Sequence, residues 1–241
     1  MKWHLIESGC NTGRFNMDFD LSLIEKSKND ECYFRLYRWK PYAISLGANQ
    51  KFEDINQEKA KEDNTDIVKR PTGGRAILHA EEITYSVVMP VSLTAKEIYK
   101  KISLALVEGL KGYNNKLSKV ELENVQPNFA QIINRPSGVM CFASTAKSEV
   151  KFNGKKLIGS AQRKVANVIL QHGSILCGAY HRNLTKYLAN ADEQTLSSLS
   201  DELNNKTTEI ETITNEKTDY ELLSKSLIKG FEKEFNTVFS I

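Results

Sequence analysis

Four short stretches of the chain carry residue types that can do chemistry. Cys141 ends the run Pro136-Ser-Gly-Val-Met-Cys141, at a junction where a thiol can be exposed. Only the thiolate is a nucleophile, so nearby cations or backbone amides would have to lower a thiol pKa that is ordinarily about 8.5. Further on, Lys155 and Lys156 follow the pair Asn153-Gly154. Strand alternation sends the two lysines to opposite sides, so one of them can face a pocket while the other stays in water. A lysine held against apolar surroundings donates to a carbonyl oxygen or gives up its proton cheaply, because desolvation disfavours its charge.

The stretch Arg70-Pro-Thr-Gly-Gly-Arg75 sets two glycines between two fixed positive charges. Without side chains, Gly73 and Gly74 let a ligand approach the backbone, and their amides can face an anion or a carbonyl oxygen. The same residues also suit an ordinary hairpin turn with solvated arginines. Neither a phosphate-binding Walker loop nor a dinucleotide GxGxxG pattern is present. His79 stands beside Ala80, Glu81 and Glu82, placed either to touch a substrate or to cap a strand. His172 and Gly173 interrupt the apolar run Leu170-Gln-His-Gly-Ser-Ile-Leu176, where a buried histidine must find hydrogen-bond partners. No His, Asp and Glu residues have metal-ligand spacing, so no metal is expected.

Composition narrows the class of protein that carries these residues. With 40% hydrophobic and 26% charged residues among 241, the chain is long enough to bury a substantial core. It has no apolar run near the roughly 18 residues a membrane helix needs and no basic leader into an apolar segment, so a cytoplasmic protein away from the membrane is expected. Cys10, Cys32, Cys141 and Cys177 are scattered without a CxxC pair, which argues for reduced thiols rather than a disulfide framework or a zinc site. Residues 191–241 carry a net −6 and the remainder +9. The basic part suits an acidic protein partner or a phosphate-bearing group, but its charges are dispersed, so nucleic acid is not expected.

The elements that must position these residues are visible as runs of β-branched and aromatic residues at 3–8, 32–39, 43–47, 67–70, 75–79 and 83–89. Asn153-Gly154 predicts a two-residue hairpin turn, and residues 168–176 predict a further strand. Thr94 and Glu97 have capping-box spacing ahead of a helix over 95–112, and Tyr220, Leu223, Leu227, Phe231 and Phe235 line one face of another. Phe15 to Leu23 fits either a strand or a helix. Residues 114–140 read as a long loop, and the polar, threonine-rich residues 189–218 as a mobile linker.

Taken together, Arg70 to His79, the loop ending at Cys141, Lys156-Leu-Ile-Gly-Ser-Ala-Gln-Arg163 and Leu170 to Leu176 resemble the biotin/lipoate protein ligase and octanoyltransferase superfamily, and within it the cysteine-dependent octanoyltransferases. The resemblance runs from Trp3 through Asn16-Met17, Ser45-Leu46-Gly47 and Gln50 to the final helix. It implies an α/β fold of mixed β-sheets layered with helices, with residues 16–27 helical, a catalytic domain over 1–190, and a polar linker and amphipathic helix over 191–241 packed on it. It assigns Cys141 as the nucleophile and Lys156 as the lysine at the acyl carbonyl. Arg70, Gly73, Gly74, Arg75 and His79, with Gly159, Ser160, Ala161, His172 and Gly173, become the substrate-binding residues, backbone amides near Ser160 or the glycine corner holding the oxyanion.

The implied reaction takes octanoyl from acyl carrier protein onto Cys141 as a thioester and then to a lysine of a lipoyl domain, such as a glycine cleavage H protein or a dehydrogenase E2 subunit. No cofactor is implied, and a monomer is expected. The chain has Ala80 where relatives usually carry Asp after the histidine. Rival readings are an ATP-dependent lipoate-protein ligase, an amidotransferase between lipoyl domains, and a non-catalytic module that binds lipoyl domains.

Overall fold

Strict alternation in three central strands decides the architecture, because residues two apart share a face of a sheet. The computed structural model describes residues 1–27, 31–123 and 148–239. In β2 (Glu31–Trp39), Cys32, Phe34 and Leu36 enter a large apolar core, as do Ile83, Tyr85, Val87 and Met89 of β6 (Glu82–Pro90) and Ile169 and Ile175 of β10 (Val168–Leu176). The intervening residues, Arg35, Thr84, Ser86, His172 and Ser174 among them, are buried on the other side.

These strands sit in a seven-stranded sheet of order β1-β2-β6-β10-β9-β8-β7, completed by β1 (Lys2–Asn11), β7 (Val120–Leu122), β8 (Val150–Phe152) and β9 (Lys155–Val165). Only β1 and β2 run parallel in it. A second sheet, β4-β3-β5, joins β3 (Ala43–Leu46) to β4 (Asp66–Lys69) in parallel and to β5 (Ile77–His79) antiparallel. The predicted hairpin is present: Asn153 and Gly154 both have positive φ, 48° and 78°, as a type I′ turn requires.

Helices cover both faces. α1 (Gly13–Lys26) settles the ambiguous stretch, since Thr12 Oγ1 caps it by accepting from Phe15 N at 3.3 Å and Asn16, Asp20 and Leu23 turn inward at helical spacing. On the apolar face lie α3 (Ala95–Tyr113), with the Thr94 and Glu97 capping box, and α6 (Tyr220–Phe235). These two cross closely: a Cβ on Gly230 would come 2.3 Å from Gly109 N. Phe231 stacks on Phe34 at 4.2 Å and meets Trp3 edge-on at 4.9 Å. α2 (Gln57–Glu62) flanks the small sheet.

Two expectations change. The polar stretch read as a linker folds into α4 (Glu193–Lys206) and α5 (Ile210–Thr214). Asp192 caps α4 by accepting from Thr195 N at 2.7 Å, and only Leu199 and Leu203, one turn apart, are buried along it, too sparse a stripe to stand out in sequence. The predicted loop over 114–140 holds a 3-10 turn at Asn115–Lys119 and strand β7 in its described part. Among the described residues no helix is long and apolar enough to cross a membrane.

Candidate active site

Between the polar face of the large sheet, α1 and the small sheet lies a partly open cavity of about 20 Å³. Met17 of α1, Tyr37 and Trp39 of β2, Ile77 of β5 and Ala161 of β9 give it apolar walls. Ser45, Arg70, His79, Thr84, Gly159, Ser160, His172, Gly173 and Ser174 complete the lining. Gly173 has to be glycine here, because a Cβ would lie 2.4 Å from Gly159 O and 2.9 Å from the Tyr85 ring. Burial raises the Tyr85 hydroxyl to about 12, so it remains a neutral partner 2.6 Å from Ser160 Oγ.

Both histidines of the cavity are fixed at each ring nitrogen. His79 Nε2 lies 2.7 Å from Ser45 Oγ and Nδ1 lies 2.8 Å from Glu82 Oε1, while Trp39 stacks on the ring at 4.1 Å. Burial pushes the Glu82 carboxyl upward, but the charge of His79 and hydrogen bonds from His79, Thr84 and Ser174 outweigh it and hold the group below its ordinary range. His172 Nε2 lies 2.7 Å from Thr72 Oγ1, and Nδ1 lies 3.3 Å from Asp20 Oδ2. Asp20 also accepts from Arg35 Nη1 at 2.8 Å, from Ser86 Oγ at 2.8 Å and from Tyr37 at 3.2 Å. Desolvation opposes its charge, yet His172 and Arg35 together keep it low. Burial lowers the His172 pKa against the pull of Asp20, so the imidazole is neutral.

The glycine corner is built rather than loose. Arg70 Nη1 donates to Ser45 O at 2.8 Å, and Nη2 donates to Gly73 O at 3.1 Å and to Arg75 O at 2.7 Å. Arg163 of β9 donates to Pro71 O at 2.7 Å. Gly74 has φ of 92°, and its carbonyl passes so close to Gly47 that a Cβ there would sit 1.9 Å away. Arg70 thus holds the corner's carbonyls while lining the cavity; Gly73, Gly74 and Arg75 lie outside the lining.

Of the two lysines, Lys156 is the inward one, 1% exposed, its Nζ 2.9 Å from Glu149 Oε1. Lys155 is exposed. Lys156 is not in the cavity wall; it stands three residues before Gly159 on the same strand, roughly 10 Å along it. Cys141 lies outside the described residues. The structure therefore brings together His79, His172, Gly159, Ser160, Ala161, Gly173 and Arg70. It adds Asp20, Arg35, Tyr37, Trp39, Ser45, Thr72, Thr84, Glu82 and Ser174, which the sequence reading assigned no role. Asn16 and Asp20 on the inward face of a helix were the available signal, since polar residues in a core stripe need partners. Among the described residues no cluster of three or more His, Cys, Asp or Glu could hold a metal ion.

Residues 12–232 match the catalytic domain of lipoyl protein ligases A and B. The chain belongs to the lipoyl protein ligase A/B catalytic domain family. Within this family it is 34% identical to the octanoyltransferase LipM of Clostridioides difficile, over 99% of this chain and 89% of that protein. The LipM octanoyltransferases of Geobacillus kaustophilus and Staphylococcus aureus are 32% and 31% identical, over 98% and 97% of this chain and 87% of each relative. The family fold is also that of a bipartite archaeal lipoate protein ligase from Thermoplasma acidophilum, solved in a study of that ligase and its E2 lipoyl domain: TM-score 0.78, 17% identity, covering 100% of this chain and 86% of the other. A lipoate-protein ligase A bound with ATP superposes with a TM-score of 0.76 at 17% identity, covering 100% and 88%.

Proposed function

We propose that the protein is an octanoyltransferase of lipoate biosynthesis, acting as a cytoplasmic monomer that moves octanoyl from acyl carrier protein to a lysine of a lipoyl domain. The observation that carries this reading is the 34% identity to an octanoyltransferase along 99% of the chain. In the first step the Cys141 thiolate attacks the acyl thioester. A carbon–sulfur bond forms to Cys141, the bond to the carrier sulfur breaks, and that sulfur leaves as the thiol after taking a proton. The acceptor lysine, as free amine, then attacks the new thioester; the amide forms, Cys141 leaves as thiolate, and the amine proton is lost. Thioester exchange is nearly neutral and amide formation runs downhill, so no cofactor enters.

The acyl chain occupies the cavity, its methylenes against Met17, Tyr37, Trp39 and Ile77. Arg70 and Arg163 hold the glycine corner that faces the carrier's prosthetic arm, and backbone amides near Ser160 or that corner take the oxyanion. His79 and His172, each fixed at both nitrogens, shape the chamber. Lys156 polarises the carbonyl or assists the incoming amine, help that is typically worth ~10² to 10⁴ in rate. The lipoate-ligase likeness of the fold favours one competing reading, in which free lipoate is activated by ATP.

Intact-protein mass spectrometry after mixing the purified enzyme with octanoyl-acyl carrier protein, without ATP, tests the proposal. A hydroxylamine-labile octanoyl adduct is expected on the wild type and not on Cys141→Ala, discharged by a lipoyl domain. Absence of the adduct on the wild type, with ligation of free lipoate when ATP is added, would replace transfer by the ligase reaction.

A further inference from the structure

Lys156 sits where the ladder of the large sheet is incomplete. On one edge β8 covers it, Lys151 lying opposite. On the other edge the pairing with β10 ends at Ile175, opposite Ile158, so Lys156 lies past the end of that ladder. The segment between α4 and α5 fills that gap: Lys156 forms a parallel bridge with Thr207, and Thr208 N donates to Lys156 O at 3.0 Å. Beside it, Lys155 Nζ donates to Asn204 O at 3.3 Å.

This segment is held by several buried polar groups. Thr207 is fully buried, and its hydroxyl lies 2.7 Å from Leu203 O and 3.1 Å from His181 Nε2. His181 Nδ1 in turn lies 3.3 Å from Gly178 O. Two residues on, the buried Glu209 carboxylate accepts from Arg182 Nε at 3.0 Å and Nη2 at 2.6 Å, and from Thr212 Oγ1 at 2.8 Å. A forked, charge-assisted pair fixes direction as well as distance. The backbone on both sides of Thr207 and Thr208 is therefore held, and a fixed strap continues the β10 side of β9 at the lysine.

We propose that Thr207 is a positioning residue for Lys156: clamped by His181 and backed by the Arg182 and Glu209 pair, it sets the β9 backbone so that the lysine ammonium meets the acyl carbonyl. The inference rests on the reading of Lys156 as the catalytic lysine. The cavity wall at Gly159 to Ala161 is held separately by β10, so loosening the strap displaces the lysine without emptying the binding site. Misplacement by about 1 Å is enough to cost ~10²-fold in rate.

The test is a double-mutant cycle on octanoyl transfer to a lipoyl domain, followed by mass spectrometry under steady-state turnover. Thr207→Val removes the hydroxyl at nearly constant shape and is expected to lower kcat about 10- to 100-fold with KM for octanoyl-acyl carrier protein unchanged. Thr207→Ser, which keeps the hydroxyl, should restore most of the rate. In a Lys156→Ala background Thr207→Val should have no further effect, because a residue that acts through the lysine has nothing left to act on. Equal fold losses in both backgrounds, or no loss in the first, would overturn the proposal alone. A Lys156→Ala enzyme with wild-type rate would remove the catalytic reading of the lysine and the proposal with it. Should Thr207→Val fail to fold, Glu209→Gln is read through the same cycle.

Discussion

The two faces of the seven-stranded sheet are built from the same strands by opposite means. On one face Phe34, Tyr85, Val87 and Ile175 meet α3 and α6 in a core closed by the rings of Trp3, Phe231 and Phe235. On the other, Arg35, Ser86 and His172 meet α1 through a charge and hydrogen-bond network centred on Asp20. Dispersion and burial are non-directional, so the first face tolerates exchange of one apolar shape for another. Buried ions are directional and cannot lose a partner cheaply. The cavity lies on the second face, whose network fixes His172 to a single orientation while leaving room beside it. The cavity is thus walled by the part of the molecule with the fewest alternative arrangements.

That contrast can be broken most severely at Arg35. Arg35→Met leaves the Asp20 carboxylate buried without its cation and is expected to cost about 3–5 kcal/mol in urea unfolding, with the remaining folded protein impaired in acyl binding. On the aromatic face Phe231→Leu keeps an apolar side chain and should cost less, about 1–1.5 kcal/mol, with transfer per folded molecule unchanged. A loss of KM in the Phe231 variant equal to that of Arg35→Met would erase the distinction between the faces. The gentlest probe is pH. Burial lowers His172 and His181, so each is neutral in the fold and binds a proton more readily in the unfolded chain. Their contribution is complete above the ordinary histidine value of about 6.5 and is lost as pH falls below it. The thermal midpoint should decline between pH 7 and 5, and His172→Gln should flatten that decline, whereas Phe231→Leu should shift the curve without changing its slope.

Strand runs and the two long helices were legible because their signals are local: alternation in 83–89, the turn at Asn153-Gly154, the capping box at Thr94. The site was legible in its glycines and histidines, which are conspicuous by type. It was not legible in Asp20 or Arg35, whose partners lie elsewhere along the chain; His172 is 152 residues from Asp20. Arg70 shows the limit from the other side. Its charge reads in sequence as a ligand contact, yet its guanidinium is aimed at the carbonyls of its own loop, an arrangement that depends on where β3 runs. The helix α4 escaped because its two buried leucines one turn apart do not distinguish a helix from a polar linker.

All ten strands among the described residues are complete by residue 176, while Phe231 and Phe235, which cover Trp3, come more than fifty residues later. A ribosome that has delivered the whole sheet has delivered only half of what covers its apolar face. A chain halted at residue 190 would carry every described strand and both histidines of the cavity, yet leave Phe34 and Trp3 bare to water and the end of β9 without Thr207. The apolar face of the sheet is sealed only when the last helix has closed over the first strand.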